Sequence, residues 1–245
     1  MAYDYERNVR SRETSSELDL GLKAYMSKVY SFMAVGLVLT GAIAHLTATL
    51  AFDFNTNSYT SVGNAIFGSP LGFIIMLAPL GFIIALNVGV AKMRESTLQI
   101  LFWAFAGVMG LSLSSIFMVY EMPSIARVFF ISAGTFGALS LYGYTTKKDL
   151  TGWGSFLFMG LIGIIIASLV NLFVQSSAVH FAISVIGVLV FVGLTAYDTQ
   201  RIKEMYYSGD SDTIAGKKAL MGALRLYLDF INLFIMLLRL FGQRR

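Results

Sequence analysis

The chain has 245 residues, of which 56% are hydrophobic and only 13% are charged, and its mean hydropathy is +0.71. Soluble domains carry about 25% charged residues, so this composition excludes an ordinary soluble protein and indicates an integral membrane protein. The absence of cysteine excludes disulfide bonds, a thiolate nucleophile and a cysteine-based metal site. The net charge is +4, but membrane orientation accounts for basic residues at the ends of apolar segments, so nucleic-acid binding is not predicted.

The apolar segments predict seven membrane-spanning helices, because a helix needs about 20 apolar residues to cross roughly 30 Å of hydrocarbon. The predicted spans are 29–51, 70–91, 97–119, 124–145, 153–174, 179–200 and 219–240. The sequence therefore predicts an all-α membrane protein, with a polar N-terminal arm, residues 1–28, and a seven-helix domain, residues 29–245. The arm is polar over a length that is unlike a signal peptide, and we interpret it as a flexible cytosolic segment.

Lysine and arginine are concentrated in the arm and in the second, fourth and sixth loops. The other three loops have none, apart from Arg127 just inside the fourth span. By the positive-inside rule, this asymmetry predicts a cytosolic N-terminus, and seven spans then place the C-terminus outside. The chain nevertheless ends near Arg239, Arg244 and Arg245. Either this basic tail is a tolerated exception or the last segment does not cross completely, and we expect a complete crossing.

The last predicted span contains an aspartate, Asp229, near its middle. A carboxylate at bilayer depth costs at least ~2.5 to 3.5 kcal/mol on insertion scales, which indicates that Asp229 has a partner or a function. Arg225, Asp229 and Asn232 share one face of the helix, because they are spaced at i, i+4 and i+7. One interpretation is that Arg225 neutralises Asp229 and the pair serves packing alone, although Arg225 is near enough to the cytosolic end to extend towards it.

The sixth predicted span has a second acidic residue, Asp198, in the stretch AYDTQRI. Thr195 lies on the same helix face as Asp198, and the adjacent Tyr197 is a candidate hydrogen-bond partner within the site. The simpler interpretation is that Asp198 is solvated near the cytosolic end or pairs with Arg201.

The two aspartates have a chemical consequence only if they meet. Neighbouring carboxylates cannot both ionise cheaply, so a pair would share a proton and could sense pH. Ionised together, they would offer the oxygen ligands that calcium prefers. Asp229 lies about 15 Å from the predicted start of its span, whereas Asp198 lies near the end of its own. Contact therefore requires that the sixth helix continues beyond Arg201 or that the seventh begins after Lys218.

Three stretches, in order along the chain, resemble the signatures of a known family. They are SLYGYTTKKDL at 140–150, VFVGLTAYDTQRIK at 190–203 and LYLDFINLFIMLLRLFG at 226–242. In these stretches the sequence resembles the transmembrane Bax inhibitor motif family, also called the Bax inhibitor-1 family, in its bacterial branch. The resemblance covers about residues 20 to 245. It implies a bundle in which six helices surround the seventh, in the bacterial inner membrane.

The resemblance also implies a pH-sensitive calcium leak that is governed by two aspartates on helices six and seven, here Asp198 and Asp229. In some members, a basic residue at the cytosolic end of helix two holds the helix-six aspartate as a latch. In the stretch VAKMRES, Lys92 is the first counterpart of that residue and Arg94 the second, while Arg225 is an additional basic residue beside the pair. The expected partners are then the bilayer, protons and calcium, with the two aspartates as candidate calcium ligands and no other cofactor.

Several other functions are alternatives to a leak. An enzyme is not expected, because the sequence has no GxSxG motif and its two histidines, His45 and His180, lack metal-site spacing. The absence of lysine from span seven excludes a retinal Schiff base. Transport of another solute stays open. So does a non-conducting modulator that binds a membrane protease or other membrane proteins, a role to which some bacterial relatives are linked.

Overall fold

A computed structural model describes the backbone of residues 2–245 and the side chains of residues 19–245. Over this part of the chain there are eight helices and one short antiparallel hairpin. The elements are α1 (Ala2–Ala51), β1 (Phe52–Asp53), β2 (Ser58–Tyr59), α2 (Ser61–Phe67), α3 (Leu71–Gly89), α4 (Glu95–Val119), α5 (Met122–Thr145), α6 (Thr151–Val174), α7 (Ser177–Glu204) and α8 (Asp212–Phe241). Seven of these helices are long and apolar enough to cross a membrane, α2 being the exception. The predicted all-α fold with seven spans is confirmed.

The last helix, α8, lies at the centre of the bundle. In its most apolar window 72% of the residues are buried inside the protein, compared with 11% in both α3 and α6. Helix α8 packs against α1, α4, α5 and α7, whereas α3 packs mainly on α4, and α6 on α7. The prediction of a central seventh helix is therefore confirmed, and four of the other spanning helices form most of its surroundings.

Helix α8 runs alongside α4, in the same direction and over the whole length of α4. Gly216, near the start of α8, lies against Glu95 at the start of α4. Gly242, just past the end of α8, lies against Tyr120, just past the end of α4. The 25 residues of α4 extend over about 37 Å, which exceeds the roughly 30 Å of hydrocarbon in a bilayer. Helix α8 therefore crosses the bundle completely, as expected.

The C-terminal tail is docked at the end of the bundle where α8 finishes. Arg244 forms an antiparallel bridge with Tyr120, and the backbone N–H of Arg245 donates to the carbonyl of Val119 at 3.0 Å. The guanidinium of Arg245 also lies 4.5 Å from the centre of the Phe54 ring. The tail therefore contacts both the turn between α4 and α5 and the loop between β1 and β2.

The N-terminal arm differs from the expected flexible segment. Helix α1 passes through residues 19–28 without a break, and Tyr25 and Met26 within this stretch are buried. The ring of Tyr25 packs against Tyr206 in the loop between α7 and α8, with 5.6 Å between ring centres. Burial of these apolar side chains explains why a polar segment is held in the helix. The cytosolic location of the arm stays a prediction.

Candidate functional site

The candidate site lies where α7 and α8 approach their connecting loop. Helix α7 continues to Glu204, roughly 9 Å beyond Asp198, so one of the two conditions for contact between the aspartates is met. Ile202 of α7 packs against Gly222 of α8. Since the two helices are antiparallel, this packing brings Asp198 level with the α8 turn that contains Asp229.

Local sequence explains where α7 ends and where α8 begins. Arg201 and Lys203 lie in the last turn of α7, where positive charge is favourable. Helix α8 begins after Ser211, whose hydroxyl accepts the backbone N–H of Ile214 at 3.4 Å, and Asp212 follows in its first turn. Helix α7 therefore extends beyond residue 200, which is the condition that lets the aspartates meet, whereas α8 begins before residue 219 and so does not meet the second condition, a start after Lys218.

The side chains of Asp198 and Asp229, which we call the carboxyl pair, lie close enough to interact directly. Asp229 is only 6% exposed, and no donor in the described part of the chain reaches its Oδ2 atom. A proton shared within the carboxyl pair would turn one carboxyl into a hydrogen-bond donor to the other. The arrangement is therefore chemically suited to holding and releasing a proton.

Arg225 supplies the positive charge next to the carboxyl pair. Its Nη1 atom lies 3.7 Å from Oδ1 of Asp198, which is an ion pair but too long for a hydrogen bond. The Arg225 side chain is 48% exposed, so it can leave this position without crossing the protein core. The packing interpretation, in which Arg225 pairs with Asp229 one turn away, is not what the structure shows. The ion pair instead joins two helices.

The structure places Lys92 and Arg94 away from this role. Both are exposed in the loop between α3 and α4, and neither takes part in an ion pair in residues 19–245. The end of α3 meets α8 one helix turn or more from Arg225, where Lys217 donates to the carbonyl of Val90 at 3.2 Å. In the described residues, the ion pair with Asp198 that the resemblance assigned first to Lys92 is made by Arg225.

The three predicted supporting residues are bonded elsewhere. The hydroxyl of Thr195 donates to the carbonyl of Phe191 at 2.7 Å, and Asn232 donates through Nδ2 to the carbonyl of Leu228 at 2.9 Å. The Tyr197 hydroxyl accepts a hydrogen bond from Nη1 of Arg201 at 2.7 Å. In the described residues the Tyr197 hydroxyl is therefore paired with Arg201 and not with the carboxyl pair.

Sequence reasoning missed Gln200, which is buried two positions after Asp198. Its Oε1 accepts the backbone N–H of Leu150, and its Nε2 donates to the carbonyl of Lys148, both at 2.8 Å. These bonds attach the loop between α5 and α6 to α7 beside the carboxyl pair. An uncharged amide inside an apolar span was the available signal, because such a group needs partners when it is buried.

Sequence reasoning also missed a chain of hydroxyls that joins three helices. The Tyr30 hydroxyl lies 2.6 Å from Oγ of Ser140, which lies 3.0 Å from Oγ1 of Thr199. Gly143, one turn after Ser140, lies directly against the backbone of Ala196. The absence of a side chain at this position lets α5 approach α7 closely, and the hydroxyls then hold α1, α5 and α7 together next to Asp198.

One large cavity does not coincide with the carboxyl pair. It has a volume of about 730 Å³ and lies between α1 and α5, with a mostly apolar lining. Lys23 and the tyrosines Tyr30 and Tyr144 are its ionisable residues, and it has no carboxylate. The ionisable carboxyl pair is therefore favoured as the functional site because of its chemistry, although the cavity offers more space.

The carboxyl pair offers few ligands for a resident calcium ion. Calcium takes six to eight oxygen ligands. Within residues 19–245, no group of three or more His, Cys, Asp or Glu side chains lies together in a way that could hold a metal ion. Asp198 and Asp229 alone therefore supply fewer oxygen ligands than a resident calcium ion takes.

Comparison with known proteins shows the family of the chain. The family described as "Inhibitor of apoptosis-promoting Bax1" matches residues 22–245. An uncharacterized protein of Rickettsia prowazekii is 48% identical over 242 residues, covering 99% of each chain. The inner membrane protein YbhL of Escherichia coli is 47% identical over 228 residues, covering 92% of this chain and 94% of YbhL. These matches confirm the resemblance seen in the three stretches, and the chain, a multi-pass membrane protein, belongs to the Bax inhibitor-1 family.

Proposed function

We propose that this protein is a pH-sensitive leak for calcium, gated by the carboxyl pair of Asp198 and Asp229. The observation that carries the proposal is the pair itself, which is shared between α7 and the central helix and has one loosely held cation, Arg225, beside it. The proposal is a conductance and not an enzyme, in a bacterial inner membrane with the N-terminus in the cytosol.

The gate follows from the position of Asp229 on the central helix. When the carboxyl pair is ionised it attracts Arg225, and protonation removes this attraction. Because α8 packs against α1, α4, α5 and α7, any shift of α8 changes the packing of the whole bundle. Around the pair, Leu226, Tyr227 and Leu233 are completely buried, which supports assigning this arrangement to the closed state of the proposed gate.

Two acidic groups outside the spans are poor sources of a response between pH 5 and 8. Outside the spans, the pKa of Asp53 is lowered by the backbone N–H of Asn55, and the pKa of Asp149 is lowered by hydrogen bonds from Thr151. Both carboxylates therefore stay ionised throughout this range. The cations that act on the carboxyl pair are Arg225 and Arg201.

The two histidines lie away from the carboxyl pair. His45 of α1 packs against Phe117, with 5.6 Å between ring centres. His180 lies at the start of α7, about 27 Å along the helix from Asp198. A histidine variant is therefore a useful control for any pH-dependent leak.

The deciding experiment is calcium flux into proteoliposomes from pH 5 to 8. We expect a leak that depends on pH in the wild type and that loses this dependence in Asp229→Asn and in Asp198→Asn, because an amide does not titrate. Asp149→Asn, the same substitution outside the membrane, and His180→Gln are the matched controls and should respond to pH like the wild type.

Two results would contradict the proposal in different ways. An Asp229→Asn protein that titrates like the wild type would show that the carboxyl pair is not the sensor. No flux at any pH, in protein of verified orientation, would instead favour the alternative of a non-conducting modulator. That alternative predicts complexes with a membrane protease or other membrane proteins, which co-purification would detect.

A further inference from the structure

A second cavity lies beside Arg225, and neither Asp198 nor Asp229 lines it. It has a volume of about 440 Å³ and lies between the end of α3, helix α8 and the loop that follows α7. We call it the basic pocket. Its basic lining residues are Lys217, Lys218 and Arg225, its apolar lining includes Val90, Ile214 and Met221, and no carboxylate lines it.

The positive charge of the basic pocket is only partly neutralised by the protein. Lys218 is paired with Asp210 at 2.6 Å. The Nζ atom of Lys217 donates to a neutral carbonyl, and Arg225 has only the 3.7 Å contact with Asp198. The nearby Glu95 is engaged by Lys28 at 3.2 Å. The pocket therefore offers two cationic side chains to a ligand, and such a ligand has to be an anion.

We propose that the basic pocket binds a phosphate-bearing anion between Lys217 and Arg225, and that this anion competes with Asp198 for the Arg225 guanidinium. The guanidinium matches a phosphate with two parallel N–H donors, a better geometry than its long contact with Asp198. The phosphate of a phospholipid headgroup and free phosphate share this chemistry, and the apolar side of the pocket also suits the glyceride part of a lipid.

This inference rests on the proposed function, since it adds a regulator to the gate. When the anion holds Arg225, the carboxyl pair loses its nearest positive charge, and Arg201 on α7 is the cation that remains. The carboxyl pair then protonates more readily, so the pH midpoint of the leak moves to higher pH. Asp210 and Glu95 keep their own partners and do not compete for the anion's place.

Binding is tested on the purified full-length protein, independently of any leak. Its Tm is measured during titration with phosphatidylglycerol, with inorganic phosphate and with neutral phosphatidylcholine. We expect phosphatidylglycerol to raise the Tm, and the half-saturating concentration to increase about fivefold in Lys217→Gln. Lys147→Gln removes the same charge from the loop between α5 and α6, outside the pocket, and should bind like the wild type.

The outcomes of this titration separate the sources of the anion. Stabilisation by inorganic phosphate as well as the lipid would show that the phosphate group is sufficient, and stabilisation by the lipid alone would assign the site to a headgroup. If neither the lipid nor inorganic phosphate stabilises the protein, or if Lys217→Gln binds the lipid as tightly as the wild type, the proposed site is overturned.

Competition for Arg225 is tested by measuring the pH midpoint of the calcium leak in two kinds of vesicle. One kind contains phosphatidylcholine alone, and the other contains phosphatidylcholine with phosphatidylglycerol. The anionic lipid should move the pH midpoint upwards in the wild type and in Lys147→Gln, with a smaller shift in Lys217→Gln. Since the surface potential acts on all three proteins, an equal shift in all three would overturn the competition. If no protein leaks at any pH, the proposed function fails, whereas the binding titration still decides the site.

Discussion

Helices α6 and α8 show opposite relations between polarity and burial. Helix α6 has no Asp, Glu, Lys or Arg between Thr151 and Val174, and it exposes Phe158, Leu172 and Phe173. Helix α8 contains Arg225 and Asp229 and is the most buried helix of the bundle. Lipid is as apolar as leucine, so apolar helices have little reason to be inside, whereas charged positions have to face protein. In this bundle a helix with intramembrane charge, α8, is therefore the central one.

The largest expected effect comes from placing a charge on the peripheral helix. Ile165 of α6 is 51% exposed, and Ile165→Asp should weaken membrane insertion of α6 by about 3 kcal/mol, since no protein partner faces that position. An insertion assay on the isolated segment measures this cost, with Ile165→Leu as the control. Normal insertion of the Asp variant would break the comparison between the two helices.

A smaller effect is expected from removing core packing. Leu233 of α8 is completely buried, whereas Leu172 of α6 is 67% exposed. Leu233→Ala should lower the free energy of unfolding by about 2 kcal/mol because it leaves a cavity, and Leu172→Ala should change it little because lipid fills the space. Unfolding in mixed micelles compares the two variants, and equal losses would contradict the central position of α8.

The hydroxyl of Tyr227 should contribute about 1 kcal/mol to stability. It lies 2.7 Å from Oγ1 of Thr40, which itself donates to the carbonyl of Ala106, so Tyr227 is the donor between the two hydroxyls. Tyr227→Phe should therefore lower the free energy of unfolding by that amount. Tyr142→Phe, at a position that is 47% exposed, is the matched control and should behave like the wild type.

The smallest expected effect concerns Arg225. Because its charge favours the ionised form of the carboxyl pair, Arg225→Gln should let the pair protonate at higher pH, and the midpoint of the leak should move upwards by about half a pH unit. The shift is kept small by water, since the side chain is 48% exposed. Arg225→Lys keeps a positive charge at this position and should therefore show a smaller upward shift than Arg225→Gln. A midpoint that falls in Arg225→Gln would show that another group is the sensor.

The number of spanning helices follows from the sequence alone, and the identity of the central one was implied by the resemblance in three stretches. Crossing a bilayer is a local requirement, met by each apolar segment independently of the others. Asp229 was recognisable because a carboxylate in an apolar segment is costly, and the same reasoning located Asp198. The resemblance in three stretches added the expectation that the two residues meet.

Tertiary structure alone decided which groups surround these aspartates. Packing of Ile202 against Gly222 sets the register of α7 and α8, and this register brings Arg225, rather than Lys92, next to Asp198. The direction of the Tyr197 ring likewise depends on the rotation of α7. Hydropathy locates a helix end only to within a few residues, whereas a shift of one residue rotates a side chain by about 100° around the helix, so the partners of a charge depend on how the helices pack.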